Sequence, residues 1–124
     1  MTRVLIVDDS PTEASRMKSM LSRHGYDVLE AENGEEGVAK AKAELPDLVL
    51  MDIVMPGING FQATRQLSRN EATSAIPVVI VTTKDQETDR VWGKRQGAKG
   101  YLTKPLEEKL LMTTIRDVLS GQTT

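Results

Sequence analysis

Five polar residues, far apart in the chain, stand at the ends of short apolar runs. Asp8 and Asp9 follow Val-Leu-Ile-Val, Asp52 follows Leu-Val-Leu-Met, Thr82 follows Val-Val-Ile-Val, and Lys104-Pro105 follows Tyr-Leu-Thr. Three carboxylates brought close together repel one another, and a hard divalent cation relieves that repulsion. A ligand set of oxygens without histidine or cysteine favours magnesium or manganese, and magnesium would keep several of its waters. A metal on one side of Asp52 leaves its other oxygen free as a nucleophile. Phosphoryl transfer needs mainly positioning and neutralisation of charge on the equatorial oxygens. Lys104 offers a mobile point charge for that purpose and Thr82 a hydroxyl. The Lys104-Pro105 bond is of the kind that can be cis, which would turn the chain and aim the lysine inward.

A parallel sheet would gather these residues. Apolar runs alternate with segments of helical period, which argues for repeated βα units. Strands are expected at 3–8, 26–30, 47–52, 77–82 and 100–103. The central runs are apolar on both faces, as when helices cover both sides of a sheet. Residues 26–30 are more mixed and read as an edge strand. Right-handed crossovers then give a doubly wound α/β fold of five parallel strands in the order 2-1-3-4-5. In such sheets, ligands bind outside the carboxyl ends of the strands, where the five polar residues fall.

Helices are expected between the strands. The first, 11–24, opens with Ser10 as N-cap and Pro11 in its first turn, sets Ala14, Met17, Leu21 and His24 on one face, and ends at Gly25. The second follows Asn33-Gly34, turns Val38, Ala41 and Leu45 inward, and stops at Pro46. The third, 59–69, uses Phe61 and Leu67; the fifth, 106–119, uses Leu110, Leu111, Thr114, Ile115 and Val118. The fourth, 86–96, has only Val91 and Trp92 as apolar anchors and carries Gly93 in its interior. A mid-helix glycine costs about 1 kcal/mol relative to alanine, so this helix reads as weakly held.

Composition narrows the class. The 124 residues fit a single domain, 1–124, with no linker or repeat and only Ser-Gly-Gln-Thr-Thr after the last helix, so no output domain is expected. A net charge of −2 and 3% aromatics give nucleic acid neither a broad basic surface nor a stacking platform. Without cysteine there is no disulfide, thiolate chemistry or sulfur-ligated metal. Apolar runs fall far short of the roughly 20 residues of a membrane span, and Met-Thr-Arg leading directly into a strand is no signal peptide. The expectation is a soluble cytoplasmic domain without membrane insertion.

Asp8-Asp9, Asp52-Ile-Val-Met-Pro-Gly, Thr82-Thr83 and Lys104-Pro105 resemble the receiver domain of two-component response regulators. The likeness covers essentially the whole chain. It implies that Asp52 accepts a phosphoryl group from a phosphohistidine on a partner histidine kinase. It also implies a magnesium site from Asp8, Asp9, Asp52 and the backbone carbonyl of Val54. Thr82 and Tyr101 match the switch pair of the family, in which the hydroxyl moves toward the phosphoryl group and the ring turns inward. Lys104 matches the lysine that contacts that group. Specificity for a kinase is placed by analogy on the first helix, around Glu13, Ala14, Met17 and Lys18. Val54 and Lys84 stand at positions that tune the phosphoaspartate lifetime, and neither side chain can orient an attacking water, so a long lifetime is expected. Among stand-alone receivers, the chain is similar to twitching-motility regulators of type IV pilus chemosensory systems.

Plainer readings stand beside these. An acidic pair after a strand is often only a helix cap. Ser10 reads as a cap, His24 as structural or solvated, Pro56-Gly57 as a turn, and Met17, Met20, Met51 and Met112 as core filler, with Met55 undecided. Trp92 either packs on the sheet or stands exposed. Arg90, Lys94, Arg95 and Lys99 form a basic cluster that is either a solvated face or, with Trp92, a partner surface. The favoured function is a binding switch acting on a protein effector as a monomer or weak dimer, without enzymatic turnover of an outside substrate. The alternatives are a phosphate sink without an effector and a metal-dependent phosphohydrolase. Against the hydrolase, Val54 stands where the haloacid-dehalogenase-like enzymes carry their second aspartate.

Overall fold

The computed structural model describes residues 1–121 of the chain; Gln122, Thr123 and Thr124, the end of the expected tail, lie outside them. Strands β1 (Arg3–Val7), β2 (Asp27–Ala31), β3 (Leu48–Met51), β4 (Val78–Thr82) and β5 (Gly100–Thr103) alternate with helices α1 (Pro11–Arg23), α2 (Gly34–Glu44), α3 (Gly60–Arg69), α4 (Glu87–Arg95) and α5 (Glu108–Leu119). All pairings are parallel and the order is β2-β1-β3-β4-β5, as expected. β3 and β4 are buried throughout and β1 is buried after Arg3, whereas β2 is mixed, in keeping with its place at the edge.

Alternate side chains of these strands feed two cores. Val4, Ile6, Leu50, Val79 and Val81 pack against Met17 and Leu21 of α1 and Leu111 and Ile115 of α5. Leu5, Val7, Val49, Met51 and Val78 pack against Val38 and Ala41 of α2 and Ala63 and Leu67 of α3. Met55 belongs to the second core. The first three helices start on side-chain caps: Ser10 Oγ accepts from the Glu13 N–H, Asn33 Oδ1 from the Glu36 N–H, and Asn59 forms a reciprocal capping box with Gln62. At the other end of α1, Arg23 and His24 both reach Glu108 at the start of α5, and their hydrogen bonds hold its carboxyl down at about 2.

Several expectations about faces are corrected. Leu45 caps α2 in the left-handed region (φ 47°) and is 54% exposed, so it is not part of the buried face. His24 is likewise exposed, drawn outward by Glu108 rather than packed with Met17 and Leu21. Phe61 is only half-buried, and α3 is instead held by Ala63, Thr64 and Leu67. On α5, Leu110 faces outward while Leu111, Ile115 and Val118 carry the packing. Val91 and Trp92 are both exposed, and the buried residue of α4 is Gly93. A Cβ there would lie 2.8 Å from Ile80 Cδ1 and 3.4 Å from the Tyr101 ring, so the glycine lets α4 approach β4 and β5 closely.

Gly60, the first residue of α3, has a stricter role. A Cβ on it would run into the carbonyl oxygen of Asp52 and come within 2.8 Å of the Ile53 Cα, backbone atoms that cannot rotate away. Gly60→Ala is therefore expected to destabilise the domain by about 1–3 kcal/mol, the range of an overpacked interior. Urea unfolding monitored by circular dichroism would show it, and an unchanged midpoint would mean that the backbone after β3 is free to shift.

Candidate functional site

The register of the sheet brings the candidate residues to one edge. Val7 pairs with Met51, so Asp8 and Asp52 leave neighbouring strands side by side. Thr82 pairs with Thr103, so Lys104 emerges beside the end of β4. The Lys104-Pro105 peptide is cis. Carboxylate oxygens of Asp8, Asp9 and Asp52 lie within 4.8 Å of one another. Asp8 and Asp52 are buried and Asp9 is exposed, which leaves the cluster open on one side.

Each buried carboxylate is held by one oxygen and presents the other. Asp8 Oδ1 accepts from the Ser10 N–H at 2.8 Å, and Asp52 Oδ1 accepts from the Ile53 N–H at 2.8 Å. Lys104 Nζ donates to Asp8 Oδ2 at 2.8 Å and lies 3.6 Å from Asp52 Oδ2. Burial above all, joined by the Asp8 charge, pushes the Asp52 carboxyl above the ordinary carboxylate range, against the pull of Lys104 and the Ile53 N–H. Burial also works against the Lys104 ammonium, but the hydrogen bond to Asp8 and the charges of Asp52 and Asp8 outweigh it, so its pKa is raised. Three acids against one amine leave a net negative pocket of hard oxygen donors. That composition fits a small divalent cation held partly through water.

Thr82 is fully buried at the end of β4, and its hydroxyl accepts from the Lys84 N–H at 3.4 Å. Tyr101 is half-buried on β5, its hydroxyl donating to the Lys84 carbonyl at 2.8 Å. Thr82 and Tyr101, the expected switch pair, thus both contact Lys84 of the β4–α4 loop. Burial, reinforced by the Asp89 charge, pushes the Tyr101 phenol up to about 12, with Arg90 opposing, so the hydroxyl stays a donor at neutral pH. Val54 and Lys84 are exposed beside the site.

The expected partner surface divides. Arg90 and Lys94 line one groove with Tyr101, whereas Trp92 is exposed but does not line it. The kinase-facing expectation for α1 also changes. Ala14 and Met17 are buried in the core, leaving Glu13 half-buried and Lys18 exposed and near Glu30.

Two contributions were not foreseen. Glu35, in the first turn of α2, accepts from the Ile58 N–H at 3.4 Å and so braces the turn that follows Asp52. Arg90 donates to Thr103 Oγ1 at 3.0 Å and lies over the Tyr101 ring, 4.9 Å from its centroid. Neither contact leaves a local sequence signal, since both depend on how close a helix lies to a distant loop or strand.

A parallel sheet with this arrangement at its carboxyl edge defines a class. The profile of the response regulator receiver domain matches residues 4–116, and the chain belongs to that family. It is 68% identical over 121 residues to protein PilH of Pseudomonas aeruginosa, covering 98% of this chain and all of that protein. It is also 36% identical to response regulator PleD of Caulobacter vibrioides over 94% of this chain but only 26% of that longer protein. Among solved structures, the chemotaxis protein CheY4 of Vibrio cholerae superposes with a TM-score of 0.89 at 31% identity, covering 95% of this chain and 98% of that one. A CheY-like receiver domain protein of Methanospirillum hungatei gives 0.90 at 29% identity, covering 98% and 96%.

Removing Lys104 should expose what it balances. Deleting one member of a buried ion pair typically costs about 3–5 kcal/mol, because the other charge is stranded. Lys104→Met is expected to lose stability on that scale, and magnesium is expected to restore part of it in a concentration-dependent way. Thermal unfolding of both proteins with and without magnesium tests this. A variant as stable as wild type, or one indifferent to magnesium, would be the contrary result.

Proposed function

We propose that the protein is a phosphorylation-driven signalling switch in which Asp52 takes a phosphoryl group from a histidine kinase. The observation that carries this reading is the carboxylate of Asp52, buried and pinned through one oxygen by the Ile53 N–H while the other faces Lys104. Asp52 Oδ2 would attack phosphorus as the bond to the donor's imidazole nitrogen breaks, the imidazole leaving with that electron pair. Asp8, Asp9 and Asp52, with the Val54 carbonyl, would hold magnesium or manganese, which when bound supplies charge neutralisation at the phosphoryl oxygens.

The residues then have a route from chemistry to surface. Lys104 would leave Asp8 for the new dianion, a charge-assisted contact with a stronger acceptor. Thr82 would turn its hydroxyl to another phosphoryl oxygen and give up the Lys84 N–H. Because Tyr101 bonds the carbonyl of that same Lys84, movement of the loop reaches the ring and, through it, α4. A two-state equilibrium biased by these contacts would present the α4–β5–α5 face to a protein effector. The likeness to PilH supports a place in type IV pilus chemosensory signalling and twitching motility. Val54, a hydrocarbon two residues beyond Asp52, gives no acid-base group for turning over an outside substrate, which supports a switch rather than a hydrolase.

Incubation with acetyl phosphate and magnesium, followed by a phosphate-affinity gel, tests the acceptor. Wild type should give a retarded band that Asp52→Ala and a chelator abolish. A band that persists in Asp52→Ala would place the phosphoryl group elsewhere. The exposed side chains of Val54 and Lys84 also suggest a slow loss of the group. Installing an amide and a carboxylate with Val54→Asn and Lys84→Glu should shorten the half-life at least severalfold in a radiolabel decay assay, and an unchanged rate would refute that role.

A further inference from the structure

The loop from Ile53 to Asn59 carries the Val54 carbonyl and is pinned at both ends by its own neighbours. The Ile53 N–H donates to Asp52 Oδ1 at 2.8 Å, the Ile53 carbonyl accepts from the Gly60 N–H at 2.9 Å, and the Asn59 N–H donates to Gln62 Oε1 at 2.8 Å. Between those ends, among the described residues, the backbone groups of Val54 to Ile58 make a single hydrogen bond, from the Ile58 N–H to Glu35 Oε2 at 3.4 Å. We propose that Glu35 is a positioning residue for the cation: it fixes the Pro56-Gly57-Ile58 turn, which holds the Val54 carbonyl in place and so sets the affinity of the site. This role rests on the metal reading given above.

The first ground is how closely α2 and the turn are fitted. Gly57 is left-handed (φ 78°), and a Cβ on it would lie 2.5 Å from Glu35 Oε2 and 2.7 Å from Oε1. The carboxylate therefore rests against the turn in space that only a glycine leaves open. One residue earlier on α2, a Cβ on Gly34 would lie 2.6 Å from Ile58 Cγ1 and 3.0 Å from the Ile58 carbonyl oxygen. The first turn of α2 thus abuts Gly57 and Ile58 with two successive residues. Val54 has no such support: its side chain is 59% exposed, so packing does not fix its own carbonyl. That carbonyl is placed by what holds the residues after it, Met55 in the second core and the turn on Glu35.

The second ground is the cost of a loose ligand. A donor already in position binds a cation without an ordering penalty, whereas a mobile one loses affinity to the ordering it must undergo. Groups that orient a metal ligand typically change metal affinity by about 10–100-fold when removed. Glu35 has two other uses open to it. In the first turn of α2 its charge complements the helix dipole, and the same charge attracts a cation from a distance. Both of those uses need the charge, while the brace needs only an oxygen that accepts from Ile58. Glutamine keeps that oxygen and loses the charge, so it separates the brace from the other two.

The test uses the full, unphosphorylated chain with manganese as the probe, the free ion being counted by electron paramagnetic resonance. Glu35→Ala should weaken manganese binding by about tenfold. Glu35→Gln should stay within about twofold of wild type, the mark of a retained acceptor. Hydrogen exchange by nuclear magnetic resonance, on the same proteins without metal, reads the turn directly. The Ile58 amide should exchange severalfold faster in Glu35→Ala than in wild type or Glu35→Gln, while the Leu50 amide in β3 is unchanged. An equal loss of affinity in the two variants would assign the effect to charge and overturn the positioning role. Wild-type affinity in Glu35→Ala would overturn it as well. A wild type that takes up no manganese overturns the metal reading of Asp8, Asp9 and Asp52, and with it any effect on affinity; Ile58 exchange then still decides whether Glu35 fixes the turn.

Discussion

The ammonium of Lys104 sits between two carboxylates that have lost most of their water, and the site depends on that contact. An isolated buried carboxylate costs several kcal/mol of lost hydration, which only a close opposite charge with good hydrogen bonds repays. Lys104 and Asp8 are 96 residues apart in sequence, so the pair exists only if β1, β3, β4 and β5 are in register at their carboxyl ends. Burying the continuous Val-Ile-Leu runs on both faces fixes that register, because any slip would expose apolar side chains and tear the ammonium from its partners. Hydrophobic burial holds the charges in place, and those charges make the edge reactive.

The same contact leaves the site poised. Lys104 is closer to Asp8 than to Asp52, and each acid already spends one oxygen on a backbone N–H. The second oxygens of Asp8 and Asp52 therefore share one ammonium, which only partly neutralises the negative charge there. On the proposed reading, a cation entering the site would relieve repulsion, and a phosphoryl dianion on Asp52 would outcompete Asp8 for the lysine. Gly60 and Glu35 keep the frame from yielding: one admits α3 against the Asp52 carbonyl, the other braces the turn beyond it.

The sheet and the edge constellation were legible in the sequence because β1 after Arg3, β3 and β4 are unbroken apolar runs, each followed or ended by a polar residue with chemistry to offer. The helix faces were legible in the main, with Leu21, Val38, Ala41, Leu67, Leu111 and Ile115 all buried, and the misses lie at single positions. Leu45 fits the period of α2 yet caps it in a left-handed turn, so periodicity overcounted the face by one position. Ala14 and Met17 were placed on a docking surface by analogy, although their spacing with Leu21 already marked them as core. The Lys104–Asp8 pair was missed because a lysine assigned to a future phosphoryl group was given no partner before that group arrives. The contacts of Arg90 and Glu35 depend on inter-element distances that no local pattern encodes.

The weak anchoring expected of α4 holds, and Gly93 contributes to it in a way that propensity alone does not show. In a helix with few apolar residues, a glycine suggests instability when judged by propensity alone. In the fold, the missing side chain is what allows α4 to touch Ile80 and the Tyr101 ring. The helix is attached through backbone proximity and through Arg90, with both of its large apolar residues left outside. Such an attachment has little hydrophobic burial to lose when Tyr101 moves, so α4 can shift without opening either core. A side chain at position 93 would meet Ile80 Cδ1 at 2.8 Å and press α4 away from the sheet. The glycine thus sets both the closeness of the helix and the small cost of moving it, which is what a surface that reports a distant charge requires.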